Sequence, residues 1–406
     1  MIKLIIILLS LIGGLYGIVL NIVQHRSANN PTPENLKDVY DAETYAKWKK
    51  YESEHSRFAI LSSIVTGVVM LALLATNAYS AFASLFPSGN LMQLLAVILL
   101  ATLVSTVFEI IESYVTNMVI EQKYGFNKTT MKTFVADRIR SFLLSLILSI
   151  LIAYGVYGFY SLAGVWMVLI FAVAMFCFSL LISFLYPIFS RIGNKFVPLE
   201  EGELRNSLEE LLTKHGYKVK AIEVMDASRR TTKLNAYFTG FGKMKTIVLF
   251  DNLVNAMEPD EICAVFAHEL GHGLHKDVQK MQILNLFNMA LMGLVAYLAV
   301  SIPELHTAFG FNGVNFGFVY LLMGSGLGIV QPFMSLIMNA RSRSAEYRAD
   351  RQAVSEGYGK AMISALKKLA RENFAHLAPS KINVVLEYSH PPLGERIAAV
   401  EKELKK

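Results

Sequence analysis

Apolar residues run along this chain in blocks long enough to cross a bilayer, and the polar residues between them gather in a few places. A hydrocarbon core of about 30 Å needs about 20 helical residues. Seven stretches meet that length, near 4–24, 58–85, 91–119, 141–160, 165–190, 281–302 and 315–339. The first exceeds the apolar run of a signal peptide and has no A-x-A-like site before Gln24, so it reads as a retained span. Glu109 and Glu112 fall in the third stretch, Asn285 and Asn288 in the sixth, and Gln331 in the seventh. Polar groups at membrane depth face a bundle interior or water, which favours a hydrated chamber. Interfacial snorkelling or interhelical hydrogen bonding accounts for the two glutamates equally well.

The loops set the orientation. The connections near 86–90, 161–164 and 303–314 hold no Lys or Arg. Every basic residue except Lys3 falls in 25–57, 120–140, 191–280 or 340–406. With seven spans those four segments share one side, and the positive-inside rule makes that side the cytoplasm. The amino terminus then faces outward and the carboxyl terminus inward.

Within the polar segments, a breaker cluster Asn29-Asn30-Pro31-Thr32-Pro33 precedes a helix expected from Glu34 to His55. Leu199 to Lys214 reads as helix, and Val219–Met225 and Thr246–Phe250 read as strands, with Gly240 and Gly242 as a hairpin turn. A further helix starts at Pro259, with Asp260 and Glu261 matching its dipole, and is expected to run on toward the sixth span. Glu258 occupies the capping position where Ser or Thr is usual. Residues 340–370 also read as helix. The fold class is mainly α, a polytopic membrane protein with a small α+β region on the cytoplasmic side. It divides into 1–190 (spans one to five), 191–280 (a cytoplasmic catalytic region), 281–339 (spans six and seven) and 340–406 (a cytoplasmic C-terminal region).

Composition agrees. Hydrophobic residues make up 54% of the 406 and charged residues 17%, against about a quarter charged in soluble domains. The net charge of +6 follows from the loop asymmetry and from anionic lipid at the inner face, and calls for no nucleic acid. The two cysteines, Cys177 in a span and Cys263 in a polar segment, predict neither a disulfide nor a thiolate metal site.

Candidate chemistry centres on His268-Glu269-Leu270-Gly271-His272, an H-E-x-x-H pentapeptide in a helical run. Residues four apart lie one turn apart on one helix face, so two imidazoles can hold one Zn²⁺ while Glu269 flanks them as a base. A catalytic zinc needs a third protein ligand. His275 is the poorer candidate, because one helix cannot wrap three ligands around an ion and His268 and His275 lie about 10 Å apart along it. The longer H-E-x-x-H-x-x-G-x-x-H pattern fails at His275 and Val278. Glu346 and Asp350, one turn apart on a later helix, supply the better candidates. Glu346 would complete a His₂Glu set, and Asp350 would accept a hydrogen bond from a ligand histidine. A solvated helix face ringed by Arg341, Arg343, Arg348 and Arg351 is the competing reading of these acids. His390, before Pro391-Pro392, reads on its own as a loop residue.

Six stretches resemble the integral-membrane type I CAAX prenyl endopeptidases, zinc metalloproteases of the gluzincin group. They are Glu121–Asn127, Pro198–Leu204, Asn235–Phe238 through Ile247–Asp251, His268–His272, Ser342-Arg343 through Glu346 to Asp350, and Ser389–Arg396. They occur in the family's order over nearly the whole chain. The resemblance implies a seven-helix transmembrane barrel enclosing a chamber, with one Zn²⁺ at its cytoplasmic end on His268, His272 and Glu346. It implies Glu269 as the catalytic base, Asp350 as an orienting group or proton donor, and His390 as a stabiliser of the tetrahedral intermediate. It places Asn235, Ala236 and Tyr237 on a strand that pairs with extended substrate. The expected partners are a peptide or protein substrate, C-terminally prenylated in the family, and the lipid bilayer. The expected location is a bacterial inner membrane or the endoplasmic reticulum, with the active site facing the cytoplasm. Two alternatives stay open: a broad quality-control protease of membrane proteins, and a non-enzymatic metal transporter or scaffold.

Overall fold

The computed structural model describes residues 1–87, 90–191, 193–239 and 244–406. The turn expected at Gly240 and Gly242 lies outside the described residues. Long apolar helices come first: α1 (Ile2–Ser27), α2 (Ala42–Ala75), α3 (Asn90–Ser113), α4 (Met131–Ala163) and α5 (Met167–Phe189). Strands β1 (Phe196–Pro198), β2 (Lys218–Met225), β3 (Ala236–Thr239) and β4 (Met244–Phe250) follow, with α6 (Glu203–Lys214) between the first two. Then come α7 (Pro259–Leu274), α8 (Asp277–Ser301), α9 (Phe316–Ser355), α10 (Gly359–Glu372), α11 (Lys381–Leu386) and α12 (Leu393–Leu404).

Among the described residues five helical stretches are long and apolar enough to cross a membrane, or up to six if a bent pair in α9 counts as one span. One stretch, Met131–Leu185, covers the fourth and fifth expected spans. It is interrupted at Gly164, whose φ of +52° ends α4. The bend in α9 is 47° between Phe316–Gly326 and Gly328–Ser355. Pro332 supplies its cause, since proline cannot donate to the carbonyl four residues back, that of Gly328, and its ring crowds it.

Several expected elements differ. The helix predicted over 34–55 is a single 3₁₀ turn at Glu34–Leu36 and then α2. Asp41 caps α2 by accepting the Thr44 N–H at 2.7 Å, which fixes its start eight residues late. The second expected span ends at Ala75, ten residues early, because Asn77 takes a left-handed conformation before the short helix Ala78–Ala83. The third span turns π-helical over Tyr114–Glu121. The helix from Pro259 does not continue into the sixth span. Lys276 adopts φ +55° and separates α7 from α8. Helix 340–370 is likewise two helices, split where Gly357 has φ +91°.

The sheet runs β1-β2-β4-β3, with β2 and β4 parallel and both outer pairs antiparallel. The second half of central strand β4, Ile247–Phe250, is apolar throughout, and side chains alternate faces along a strand. Ile247 and Leu249 therefore enter the main core with Leu208, Leu212 and Ile262, while Val248 packs with Met225 and Ala227 on the other face. That main core also takes in Leu36, Val39 and Trp48 from the first polar segment and Ala365, Leu377 and Ile397 from the C-terminal region. Ion pairs join the remaining pieces: Lys123 to Glu54, Lys233 to Glu121, and Arg230 to Asp137. All four basic segments thus meet at one end of the helices. At the other end Lys3 donates to Asn77 Oδ1 at 2.8 Å, and Ser80 Oγ to the Phe309 carbonyl at 2.6 Å.

His376 ties α1 to the C-terminal region. Its Nδ1 accepts the Ala378 N–H at 3.2 Å, so its Nε2 carries the proton and faces Ser27 Oγ at 3.0 Å, with Trp48 edge-on. Burial pushes its pKa down to about 4. The folded state therefore binds fewer protons than the unfolded chain. Its contribution is complete above about pH 6.5 and is lost as pH falls toward 4, up to roughly 3 kcal/mol. Thermal unfolding in detergent at pH 7 and pH 5 should show this drop, and His376→Gln should flatten it.

Candidate metal centre

The geometry is set by two helices crossing at close range. Gly271, inside the H-E-x-x-H turn, is the contact point: a Cβ there would stand 2.9 Å from Ala349 Cα and 2.9 Å from Gln352 Cβ. Only glycine lets α7 approach α9 this closely. Leu270 is fully buried and locks α7 to the core, and Ala349 is fully buried on the facing helix. Gly271→Ala is expected to force the helices apart at a cost of about 1–3 kcal/mol. It should lower both thermal stability and bound metal, measured on the same purified sample.

This crossing brings His268, His272 and Glu346 together, with one potential ligand atom from each all within 4.8 Å of one another. His268 Nε2 lies 3.5 Å from Glu346 Oε2, and His272 Nε2 lies 3.3 Å from Oε1. The two rings stand perpendicular, 4.9 Å apart. Each histidine is held from behind by a carboxylate. Asp350 Oδ1 sits 2.8 Å from His268 Nδ1, and Asp277 Oδ2 sits 3.2 Å from His272 Nδ1. A carboxylate only accepts, so both Nδ1 atoms carry protons, and both Nε2 atoms face Glu346. Burial works against charge on His272, but the carboxylates of Glu346 and Asp277 outweigh it and lift its pKa to about 8. The spot between these groups favours positive charge.

Two residues in this network carried no assigned role in the sequence reading. Arg396, on α12, donates to Asp350 through Nε at 2.9 Å and Nη2 at 2.6 Å, and its Nη1 lies 3.3 Å from Glu346 Oε2. This two-point clamp keeps Asp350, 1% exposed, ionised. Asp277, the first residue of α8, also takes Arg348 Nη2 at 2.7 Å. It reaches His272 because the helix breaks at Lys276.

His390 joins the group from the loop before α12: its Nε2 is 3.4 Å from Glu346 Oε1, its Nδ1 meets Ser389 Oγ at 2.9 Å, and its side chain is 63% exposed. Glu269 is half-buried and makes no hydrogen bond to another described residue. His275 caps the end of α7 and stands outside the cluster. Asn235, Ala236 and Tyr237 are not among the three groups that could hold an ion, although β3 packs against α7. They head β3, the free edge of the sheet, where Ala236 and Tyr237 pair with Leu249 and Val248. Glu258 does head α7 and forms a reciprocal capping box: its carboxylate accepts the Glu261 backbone N–H, as a Ser hydroxyl would, and the Glu261 carboxylate accepts the Glu258 N–H at 2.9 Å. Both cysteines are free, and burial pushes the Cys263 thiol up to about 11.

The donor set fits a divalent zinc-like ion. Glu346 Oε2 is buried and has no hydrogen-bond partner among the described residues. Arg396 Nη1 faces its charge at 3.3 Å, but a buried carboxylate oxygen left without a hydrogen bond is still costly. A cation shared with the two Nε2 atoms satisfies it, and two imidazoles plus one carboxylate is a catalytic zinc set.

The comparisons agree over both halves of the chain. Residues 3–191 match the family described as CAAX prenyl protease N-terminal, five membrane helices, and residues 198–404 match peptidase family M48. A CAAX prenyl protease 1 homolog of Oryza sativa subsp. japonica is 31% identical, covering 94% of this chain and 93% of that protein. CAAX prenyl protease 1 of Saccharomyces cerevisiae is 30% identical, covering 91% and 88%. The crystal structure of S. mikatae Ste24p superposes with a TM-score of 0.89 at 28% identity over 99% of both chains. The chain therefore belongs to peptidase family M48, as an integral-membrane metalloprotease related along its whole length to the CAAX prenyl proteases.

Proposed function

We propose that this protein is a zinc endopeptidase that cuts prenylated CAAX proteins near their C-terminus, with His268, His272 and Glu346 holding the ion. The observation that carries the reading is the convergence of two proton-fixed imidazoles on a buried carboxylate oxygen that lacks a hydrogen bond. The rice and yeast relatives, both CAAX prenyl proteases by name, supply the substrate class.

A zinc ion held by His268, His272 and Glu346 would supply Lewis acidity, enough to lower the pKa of a water toward 7 and polarise a scissile carbonyl. Glu269, one residue after the first ligand, is the base that takes a proton from the attacking water and delivers it to the leaving amine. His390 is exposed on the open side of Glu346, where its Nε2–H donates to the oxyanion as charge develops. Asp350, clamped by Arg396 and 1% exposed, acts by orienting His268 rather than by giving up a proton. Asp277 does the same for His272. Asn235, Ala236 and Tyr237 place the free edge of β3 for pairing with an extended substrate.

Reading Met131–Leu185 as two spans divided at Gly164, and the bent α9 as one, gives seven transmembrane helices. The five membrane helices of the N-terminal family description fall where spans one to five are expected. A barrel of these seven around a water-filled chamber accounts for Asn288 Oδ1 and Gln282 Oε1 on α8, buried atoms without hydrogen-bond partners among the described residues. Exposed Glu109 and Glu112 would then face that chamber. The four basic segments that meet around the site face the cytoplasm, of the endoplasmic reticulum for a eukaryotic source or of the inner membrane for a bacterial one.

The test is cleavage in detergent of a farnesylated C-terminal peptide beside its unmodified twin, with mass readout and with chelator added. Chelator-sensitive cleavage favouring the farnesylated peptide is expected. Equal cleavage of both would move the assignment to a broad quality-control protease.

A further inference from the structure

His390 is carried on a loop, and its side chain is 63% exposed, so little packing holds it. Its Nε2 nevertheless stands 3.4 Å from Glu346 Oε1. The loop must therefore be fixed through its backbone. It follows α11, a helix of six residues. A helix that short is marginal by itself, and its last four carbonyls have no partner within it. The Asn383 carbonyl accepts the Glu387 N–H at 2.8 Å. The next three carbonyls are met from α9. Asn339 Nδ2 donates to the Leu386 carbonyl at 2.9 Å. Arg343 Nη1 donates to the Val384 carbonyl at 2.7 Å and lies 3.4 Å from that of Val385. The same nitrogen donates to the Tyr388 carbonyl at 2.7 Å, two residues before His390. Arg343 is half-buried and forms no ion pair among the described residues. Its charge is spent on the negative end of α11.

Asn339, Arg343, Glu346 and Asp350 follow one another at spacings of four, three and four, so they line one face of α9. That face carries the carboxylate at the metal centre and also the two side chains that grip the loop. Beyond His390 the chain is tied to α9 again, by Arg396 to Asp350 and by Tyr347 Oη to Glu395 Oε2 at 3.0 Å. Pro391 and Pro392 stiffen this side and hold His390 itself extended. The freedom left to the loop lies on the Tyr388 side, where Arg343 holds it.

We propose that Arg343 is a positioning residue for the reaction: its hold on the carbonyls of Val384 and Tyr388 sets His390 Nε2 in register with Glu346. The inference rests on the reading of His390 as the donor to the oxyanion, and it names the group that places that donor. Arg343 makes no hydrogen bond to the three groups that could hold the ion, so its effect passes through the loop. A catalytic group displaced by about 1 Å can cost on the order of 10²-fold in rate.

The experiment follows cleavage of a farnesylated C-terminal peptide by the wild type, Arg343→Met, His390→Ala and the double variant. Bound zinc, thermal unfolding and amide exchange over residues 384–392 are measured on the same samples. Methionine keeps the length of the side chain and removes every donor, whereas Arg343→Lys keeps a cation and should retain more activity. Arg343→Met should lower kcat roughly 10- to 100-fold, with KM and zinc content little changed. Amide exchange over 384–392 should quicken in Arg343→Met and stay unchanged in His390→Ala. The double variant should match His390→Ala within about twofold, because the loop has nothing left to position. Wild-type kcat in Arg343→Met beside a slow His390→Ala overturns the assignment, as does unchanged exchange. So does an Arg343→Met that slows His390→Ala as much as it slows the wild type, or loss of zinc or of cooperative melting in both Arg343 variants. Normal turnover by His390→Ala removes the oxyanion donor, and this inference with it, but leaves the peptidase reading standing. No cleavage by the zinc-loaded wild type overturns that reading itself.

Discussion

Replacing Glu269 with Gln is expected to stop turnover while leaving the metal in place. The carboxylate is not among the three groups that converge on the ion, and its removal leaves their contacts intact. What is lost is the only acid on α7 next to the first histidine that has no hydrogen bond to another described residue. General-base catalysis contributes about 10²–10⁴-fold, so kcat should fall by roughly that factor. KM and bound metal should change little, because the isosteric amide keeps the shape of the site. Steady-state cleavage with metal analysis of the same preparation checks both halves. Normal turnover by Glu269→Gln would remove the base from the mechanism.

Replacing Glu346 with Gln is expected to empty the site. Glu346 is 5% exposed and is approached by both imidazoles, by His390 and by Arg396. The amide keeps the volume but loses the negative charge, and it leaves Arg396 with one carboxylate instead of two. Disturbing a group that only orients a ligand already costs 10–100-fold in metal affinity. Loss of a ligand should exceed the upper end, about 100-fold, and activity should fall with it. Thermal unfolding separates this outcome from misfolding. The variant should still melt cooperatively and should no longer gain stability from added zinc, as expected when the native state has lost its ligand site.

Much of this site is visible in the sequence because helices have a fixed period. Two histidines four apart, and two acids four apart, each share a helix face by spacing alone. What spacing does not reveal is where the period breaks. Asp277 reaches His272 only because Lys276, a residue with no preference for a left-handed conformation, ends α7 there. Arg396 lies 46 residues beyond Asp350, and nothing local announces that α12 folds back on α9. It stood within a matched stretch of sequence, and that was the one available signal. The same limit explains the fold. Apolar blocks show where helices cross the membrane, but not that Trp48, Leu212 and Ile397, from three separate polar segments, share one core. A tertiary contact of that kind has no period to read. The expected helix over 34–55 failed for a local reason instead: Asp41 is a strong cap, and it outweighed the helical pattern ahead of it.

The central claim is that two imidazole nitrogens and one carboxylate oxygen grip a single zinc ion. X-ray absorption at the zinc edge on the purified protein tests it most directly. The account predicts one zinc per chain, with nitrogen and oxygen neighbours at about 2.0–2.2 Å and no sulfur shell. A sulfur shell near about 2.3 Å, or zinc lost on dialysis as readily from the wild type as from Glu346→Gln, would contradict it.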